Sequence, residues 1–243
     1  MEKDNLTCLI NAIITKEEVP QDDKEYLYYL KYLEMSAYEN DLINQHITLI
    51  AGLDEAGRGP LAGPVVAGCC ILPHDFYLPG LNDSKKLTPK KREEFYEIIT
   101  KEALAYSVGI VDEKTIDNIN IYQATKLAMA KAVLNLQVKP EHLLIDALYI
   151  DLDIPQTAII KGDQKSISIA AASIIAKVTR DCLMDEYHNL YPEYNFKNNK
   201  GYATKEHLDA LMKYGASPIH RKTFEPVSTI LLKERTLFTS FDE

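Results

Sequence analysis

No stretch of the sequence approaches the roughly 18 to 20 uncharged apolar residues that a membrane helix needs, and the start, Met-Glu-Lys-Asp-Asn, does not read as a signal peptide. A cytoplasmic protein with no membrane contact is expected. Cysteine is scarce. Cys8, Cys69, Cys70 and Cys182 form no Cys-x-x-Cys pair, and the adjacent Cys69 and Cys70 point to opposite faces of a strand-like run, which predicts buried thiols. Positive charge is in deficit: 27 Lys and Arg against 36 Asp and Glu give 27 − 36 = −9, which excludes a basic nucleic-acid-binding tail. There are no internal repeats or low-complexity tracts. The six histidines (His46, His74, His142, His188, His207 and His220) show no zinc spacing, and no Gly-x-Ser-x-Gly element supports acyl chemistry.

What remains is an ordinary globular composition, 46% apolar and 26% charged over 243 residues, enough for one large domain or two small ones. Acid is concentrated at the front, where residues 1–48 carry 10 acids against 4 bases. Leu6, Leu9, Ile10, Ile13 and Ile14 recur there at helical spacing, Pro20 punctuates, and Tyr26, Leu30, Leu33 and Ala37 make a second stripe. Residues 1–48 are therefore predicted to be a helical extension of a domain spanning 49–243. The tyrosines at 26, 28, 29, 32 and 38 are expected to pack within it.

From residue 49 the pattern becomes α/β. Predicted strands are Ile50 to Leu53, Val65 to Leu72, Tyr106 to Val111, Leu143 to Ile145 and Thr157 to Ile160; predicted helices are Pro89 to Thr100, Glu113 to Leu136, Ser166 to Leu190 and Thr204 to Tyr214. Ala170, Ala171, Ala172 and Ala176 mark the third helix as one that approaches a sheet closely. Val227, Ile230, Leu231 and Leu232 could pack back on the domain.

Three of the strands end in acid. Asp54 and Glu55 follow Leu53, Asp146 closes Leu143-Leu144-Ile145, and Asp163 follows the fifth strand. If those strands are neighbours, the carboxylates converge, and like charges that close need raised pKa values or bound cations. Hard oxygen ligands favour Mg²⁺ or Mn²⁺. Each acid also has a plainer reading: Asp146 as a turn residue, Asp163 as the N-cap of the helix near Ser166. Asp151 and Asp153 read as solvated loop acids. Between the first two strands lies Gly57-Arg58-Gly59-Pro60-Leu61-Ala62-Gly63-Pro64, whose glycines admit close backbone approaches but whose spacing fits neither the Rossmann nor the Walker pattern.

The run Asp54 to Val65 resembles the signature of ribonuclease HII. So, in order, do Asp83-Ser84-Lys85-Lys86-Leu87, Lys161-Gly162-Asp163, Ala171 to Asp181 and Gly201 to His207. The resemblance covers about 49–228. It implies a ribonuclease H-like fold, a mixed five-stranded sheet flanked by helices, with Asp54, Glu55, Asp146 and Asp163 binding two divalent metal ions. It also implies that the Gly57-Arg58-Gly59 turn reads a ribonucleotide together with Tyr202. The implied activity is hydrolysis on the 5′ side of ribonucleotides embedded in duplex DNA, and of the RNA strand of RNA/DNA hybrids, leaving 3′-hydroxyl and 5′-phosphate ends; two ions suit such an in-line displacement. Two alternatives are a binding module without chemistry and the related ribonuclease HIII.

Duplex binding needs local positive charge, and Lys85, Lys86, Lys90, Lys91 and Arg92 place five bases in eight residues. With Thr88 as N-cap and Pro89 at the first helical position, the last three sit in a first turn where the macrodipole disfavours cations. Lys177, Arg180 and Lys205 are further phosphate candidates. His207 is read either as a positioning group or as a packing residue. A monomer is expected, and Leu237-Phe238-Thr239-Ser240-Phe241 could dock a sliding clamp.

Overall fold

A computed structural model describes residues 24–82 and 84–232. Cys8, the first helical stripe with Pro20, Asp83 and the segment 237–241 lie outside the described residues. The centre is a five-stranded mixed sheet in the order β3-β2-β1-β4-β5. Strands β1 (Ile50–Ala56), β2 (Val65–Ile71) and β3 (Ala105–Val111) pair antiparallel, while β4 (His142–Asp146) and β5 (Gln156–Ile159) run parallel to β1. Every residue of β2 is buried, as expected of a central strand covered on both faces.

The helices are α1 (Lys24–Met35), α2 (Ala37–Asn44), α3 (Pro89–Glu102), α4 (Glu113–Leu134), α5 (Ile167–Leu190), the single turn α6 (Phe196–Asn199) and α7 (Lys205–Tyr214), with helical backbone again at 227–232. On one face of the sheet, Ala124, Ala128 and Ala132 of α4 pack against Ala51, Leu53, Ala67 and Ile145. On the other, α5 and α3 enclose Phe95, Ile99, Ala171, Ile174 and Ile175. Each full burial of a large apolar side chain contributes about 1.5 to 3 kcal/mol.

The contact between α5 and the sheet is closer than its alanines alone require. A Cβ at Gly68 of β2 would stand 2.3 Å from the Ala172 carbonyl oxygen, and one at Gly52 of β1 would stand 2.0 Å from the Ser168 carbonyl carbon. Small residues on both partners bring the helix backbone onto the strands. The first turn of α5 is thereby fixed against the strand ends that carry the acids.

Two expected helices are interrupted. The stripe from Tyr26 to Ala37 divides at Ser36, whose hydroxyl donates to the Tyr32 carbonyl at 2.7 Å, a local bond that bends helices. Helix α4 breaks at Asn120 (φ 65°), whose Oδ1 accepts from the Tyr122 and Gln123 amides at 3.0 and 3.1 Å, so that Asn120 caps the second half. Cys69 and Cys70 are buried as expected, but Cys182 is exposed. Arg180 and Met184 face inward on α5, and a residue midway between them in the helical repeat faces out.

Helices α1 and α2 lie against the start of α5. Met35 joins the Phe95–Ile174 cluster, and Tyr29 and Tyr32 make edge contacts with Tyr77. Glu39 accepts from the Ser166 hydroxyl (2.5 Å) and the Ser168 amide (3.0 Å), which places a carboxylate where the helix dipole favours it. Burial, first among its influences, raises the Glu39 pKa. Among the described residues no helix is long and apolar enough to cross a membrane.

Candidate active site

The pairing of β1 with β4 decides how the acids meet. Leu53 stands opposite Ile145, so one step further, just past the end of that parallel pairing, Asp54 of β1 and Asp146 at the end of β4 lie side by side on the same face. Asp54 is buried, and its Oδ1 accepts the Glu55 amide at 2.7 Å. Asp146 Oδ1 accepts the Gly162 amide at 2.7 Å, which draws the turn Gly162–Gln164 and its buried Asp163 toward the same rim. The capping reading of Asp163 goes to another residue: Ser166 accepts the Ile169 amide at 3.2 Å and caps α5. Glu55 is met by Arg58 at 3.4 Å. Asp151 and Asp153 are exposed beyond β4.

These carboxylates share one field. Burial, then Glu55, Asp146 and Asp163, push the Asp54 carboxyl well above the usual range. Burial likewise raises Glu55, with Asp146 adding to it and Arg58 and Lys85 opposing. Among the described residues no three acidic, histidine or cysteine side chains are drawn together closely enough to hold a metal ion as they stand. The donor chemistry nevertheless suits one: hard oxygens, desolvated and mutually repelling, are what a hard divalent cation relieves. One oxygen each of Asp54 and Asp146 is committed to backbone, which orients the carboxylates while the other oxygen makes no such bond.

The glycine turn opens a groove of about 270 Å³ beside the acids, lined by Asp54, Glu55, Arg58, Lys85, Lys177 and Tyr202 among others. Gly57 has φ 97°, and a Cβ on it would stand 2.1 Å from Arg180 Nε and 2.7 Å from the Pro64 oxygen. Gly59 is different. A Cβ there would meet nothing nearer than the Tyr202 ring at 3.7 Å, across the groove. Packing within the chain thus disfavours any side chain at 57, whereas at 59 the added group meets only the Tyr202 ring, at van der Waals distance.

Two buried arginines hold this turn from behind. Arg180 donates to the carbonyls of Pro64 (3.0 Å), Ala62 (3.2 Å) and Lys200 (3.0 Å). Arg221 donates to those of Gly57 (2.6 Å), Arg58 (2.9 Å) and Gly63 (2.8 and 3.0 Å). Since Arg180 is 1% exposed it does not reach phosphate, contrary to the sequence-based expectation. Arg221 was missed there altogether. Burial, with the Arg180 charge second, pushes its pKa down to about 9, so it stays a cation at neutral pH. Arg221 occupies the carbonyls of 57 and 58, while neither the Arg58 nor the Gly59 amide donates to another described residue.

The basic run divides by role. Lys85 lines the groove; Lys86 is exposed beside it without lining it. Thr88 does cap α3, accepting the Lys91 amide at 3.3 Å. Lys91 pairs with Glu94, and Arg92 reaches back to the Ser84 and Leu87 carbonyls (3.0 and 3.1 Å), holding the lysine turn in place. That contact outweighs the unfavourable macrodipole of a first-turn cation, about 0.3 to 1 kcal/mol. Lys177 pairs with Asp181, and Lys205, 93% exposed, with Asp209.

Tyr202 is 46% exposed, and its carbonyl accepts from the Thr204 amide and meets His207 Nδ1, both at 2.8 Å. His207 Nε2 meets His220 Nε2 at 2.9 Å, and His220 Nδ1 meets the Ser217 amide at 2.9 Å. An amide only donates, so His220 accepts at Nδ1 and carries its proton on Nε2; His207 then accepts at Nε2 and donates from Nδ1 to Tyr202. The chain requires both rings to be neutral. Burial lowers the pKa of His207 and, with His207 second, that of His220 to about 3. Depressed native values mean that stability present above the unfolded pKa of about 6.5 is lost as pH falls below it. In His220→Gln, the slope of unfolding free energy between pH 6 and 4 is expected to flatten by about 1.4 kcal/mol per pH unit, one proton fewer. Urea titrations across that range check it, and an unchanged slope would refute the neutral pair.

The fold superposes on ribonuclease H2 from Pyrococcus horikoshii over 76% of this chain and 98% of that one, with a TM-score of 0.65 and 29% identity. It also matches Bst-RNase HIII in complex with Mn²⁺, over 79% and 72%, at TM-score 0.60 and 19% identity, a likeness of fold. The protein is of the ribonuclease H class, a hydrolase of nucleic acid. Residues 51–227 match the family model described as Ribonuclease HII, and the Ribonuclease HII of Bacillus cytotoxicus is 55% identical over 230 residues, 95% of this chain and 87% of that relative. The chain belongs to the ribonuclease HII family.

Proposed function

We propose that this ribonuclease H cuts the phosphodiester on the 5′ side of a ribonucleotide, in RNA/DNA hybrids and at single ribonucleotides in duplex DNA, leaving a 3′ hydroxyl and a 5′ phosphate. The observation that carries the reading is that the Arg58 and Gly59 amides, which have no acceptor among the described residues, belong to the same groove as Asp54, Glu55 and Tyr202. A 2′ hydroxyl both donates and accepts, so backbone amides of this turn would distinguish it from a deoxyribose hydrogen. Gly59 leaves room for the sugar, and the half-exposed Tyr202 ring offers a stacking face. Lys85, Lys86 and Lys177 provide charge for the flanking phosphates.

Asp54, Glu55, Asp146 and Asp163 are the residues that would hold two divalent ions, Mg²⁺ or Mn²⁺. Such ions, when bound, supply activation of water and neutralise charge on the leaving 3′ oxygen. Arg58 stands 3.4 Å from Glu55 and pairs with it. Residues 49–243 form the catalytic unit in this reading, and residues 1–48 an extension that steadies the start of α5 through Glu39.

The test is a labelled DNA duplex with one embedded ribonucleotide, incubated with Mg²⁺, Mn²⁺ or EDTA. A single cut 5′ of the ribonucleotide is expected with either metal and none with EDTA; cutting only within ribonucleotide runs would overturn the reading. Gly59→Ala should leave the melting temperature unchanged yet lower single-ribonucleotide cutting about tenfold or more relative to a long hybrid, as a displaced sugar loses its alignment. Equal losses on both substrates would remove the turn from sugar recognition.

A further inference from the structure

On the reading just given, the two parts of the sugar reader, the Gly57–Gly59 turn and Tyr202, come from segments far apart in the chain. A third segment touches both. Ala62 bridges to His220, the Gly63 amide donates to the Ile219 carbonyl at 2.9 Å, and the Arg221 amide donates to the Leu61 carbonyl at 2.8 Å. The Arg221 side chain takes the Gly57 and Arg58 carbonyls. From the same segment His220 runs the other way, through His207 to the Tyr202 carbonyl. Both imidazoles are buried under Tyr194 and Phe196, so neither reaches substrate.

We infer that His207 and His220 are positioning residues which, with Arg221, brace Tyr202 against the glycine turn and so set the separation on which selectivity for a single embedded ribonucleotide depends. The brace acts on alignment. It therefore affects the short substrate, where one sugar must be read correctly, more than a long hybrid that offers many registers.

Two polar variants at one position isolate this effect from folding. Asn at 207 places an amide N–H where Nδ1–H meets the Tyr202 carbonyl, while Gln at 207 reaches toward His220 and leaves that carbonyl held by the Thr204 amide alone. His207→Gln is expected to lower the kcat ratio of single-ribonucleotide duplex to long hybrid about tenfold at little change in KM, and His207→Asn to retain it. Arg221→Lys is an independent arm: one ammonium cannot span the Gly57 and Arg58 carbonyls, and the ratio should fall again. Adding Tyr202→Ala to His207→Gln should lower the ratio no further than Tyr202→Ala alone. If Tyr202→Ala lowers the ratio while the Asn, Gln and Lys variants all reduce both substrates in step, the brace is overturned and the reader stands. If Tyr202→Ala leaves the ratio untouched, the reader itself fails, and the brace with it.

Discussion

Asp54→Asn is expected to reduce turnover about 10³-fold or more, because it removes a charge from the set that would hold the catalytic ions, and the charge stabilisation such ions supply, about 4 kcal/mol, converts to that factor. The fold should survive. An Asn oxygen can still accept the Glu55 amide that Asp54 accepts at 2.7 Å. In EDTA the variant should be at least as stable as the wild type at neutral pH, and the sign follows from the pKa. Burial and three neighbouring carboxylates raise Asp54 above its ordinary range. A raised native value means stability is present at low pH and is lost as pH rises from the ordinary carboxylate range through the native pKa. Above the ordinary carboxylate range the buried carboxyl is therefore a net cost, which Asn removes. Added Mg²⁺ or Mn²⁺ should reverse the order, since an ion that binds the native state stabilises it by mass action. Urea unfolding of both proteins with EDTA and with Mn²⁺ measures this. A variant less stable than wild type in EDTA at pH 8, or one that cuts at a near-normal rate, would dissolve the proposed cluster.

The second large effect is expected from Gly57→Ala, a loss of about 2 to 5 kcal/mol in unfolding free energy. Left-handed backbone disfavours a Cβ by about 1 to 2 kcal/mol, and overpacking adds about 1 to 3 kcal/mol. The obstacles are not flexible: Arg180 Nε at 2.1 Å is itself bonded to the Pro64 oxygen, which lies 2.7 Å from the added carbon. Relief requires Arg180 to leave Pro64 or the turn to move off Arg221, and either leaves buried polar groups unpaired. Activity should fall on every substrate, in contrast to Gly59→Ala, where the added carbon finds open groove. A urea midpoint shift equivalent to less than about 1 kcal/mol at constant slope would mean that the turn yields easily.

Much of the chain was readable because neighbours in sequence did the work. Thr88-Pro89 announced the start of α3, and the apolar run of β2 needed no partner to be recognised, whereas the breaks at Ser36 and Asn120 were not anticipated although their causes are local. The basic run hid its division of roles for a physical reason. Five cations in eight residues look alike in sequence, yet Lys91 is engaged by Glu94 on the next turn, Arg92 by the Ser84 and Leu87 carbonyls, and Lys85 lines the groove. Arg180 misled similarly; its place in the alanine-rich helix α5 was the available signal that its guanidinium is buried.

By itself the sequence determined which chemistry was at hand: acids at the ends of three apolar strands, a glycine turn after the first of them, and the order of motifs that marks the family. Such features follow from residue type and local spacing. The tertiary structure alone decided that Asp54 and Asp146 lie side by side on adjacent strands, that Arg221 grips Gly57 from 164 positions away, and that a chain of two neutral histidines runs to the carbonyl of Tyr202. These depend on strand order and on packing between distant segments, where hydrogen-bond partners are assigned by what burial leaves unsatisfied, and no local pattern carries that information.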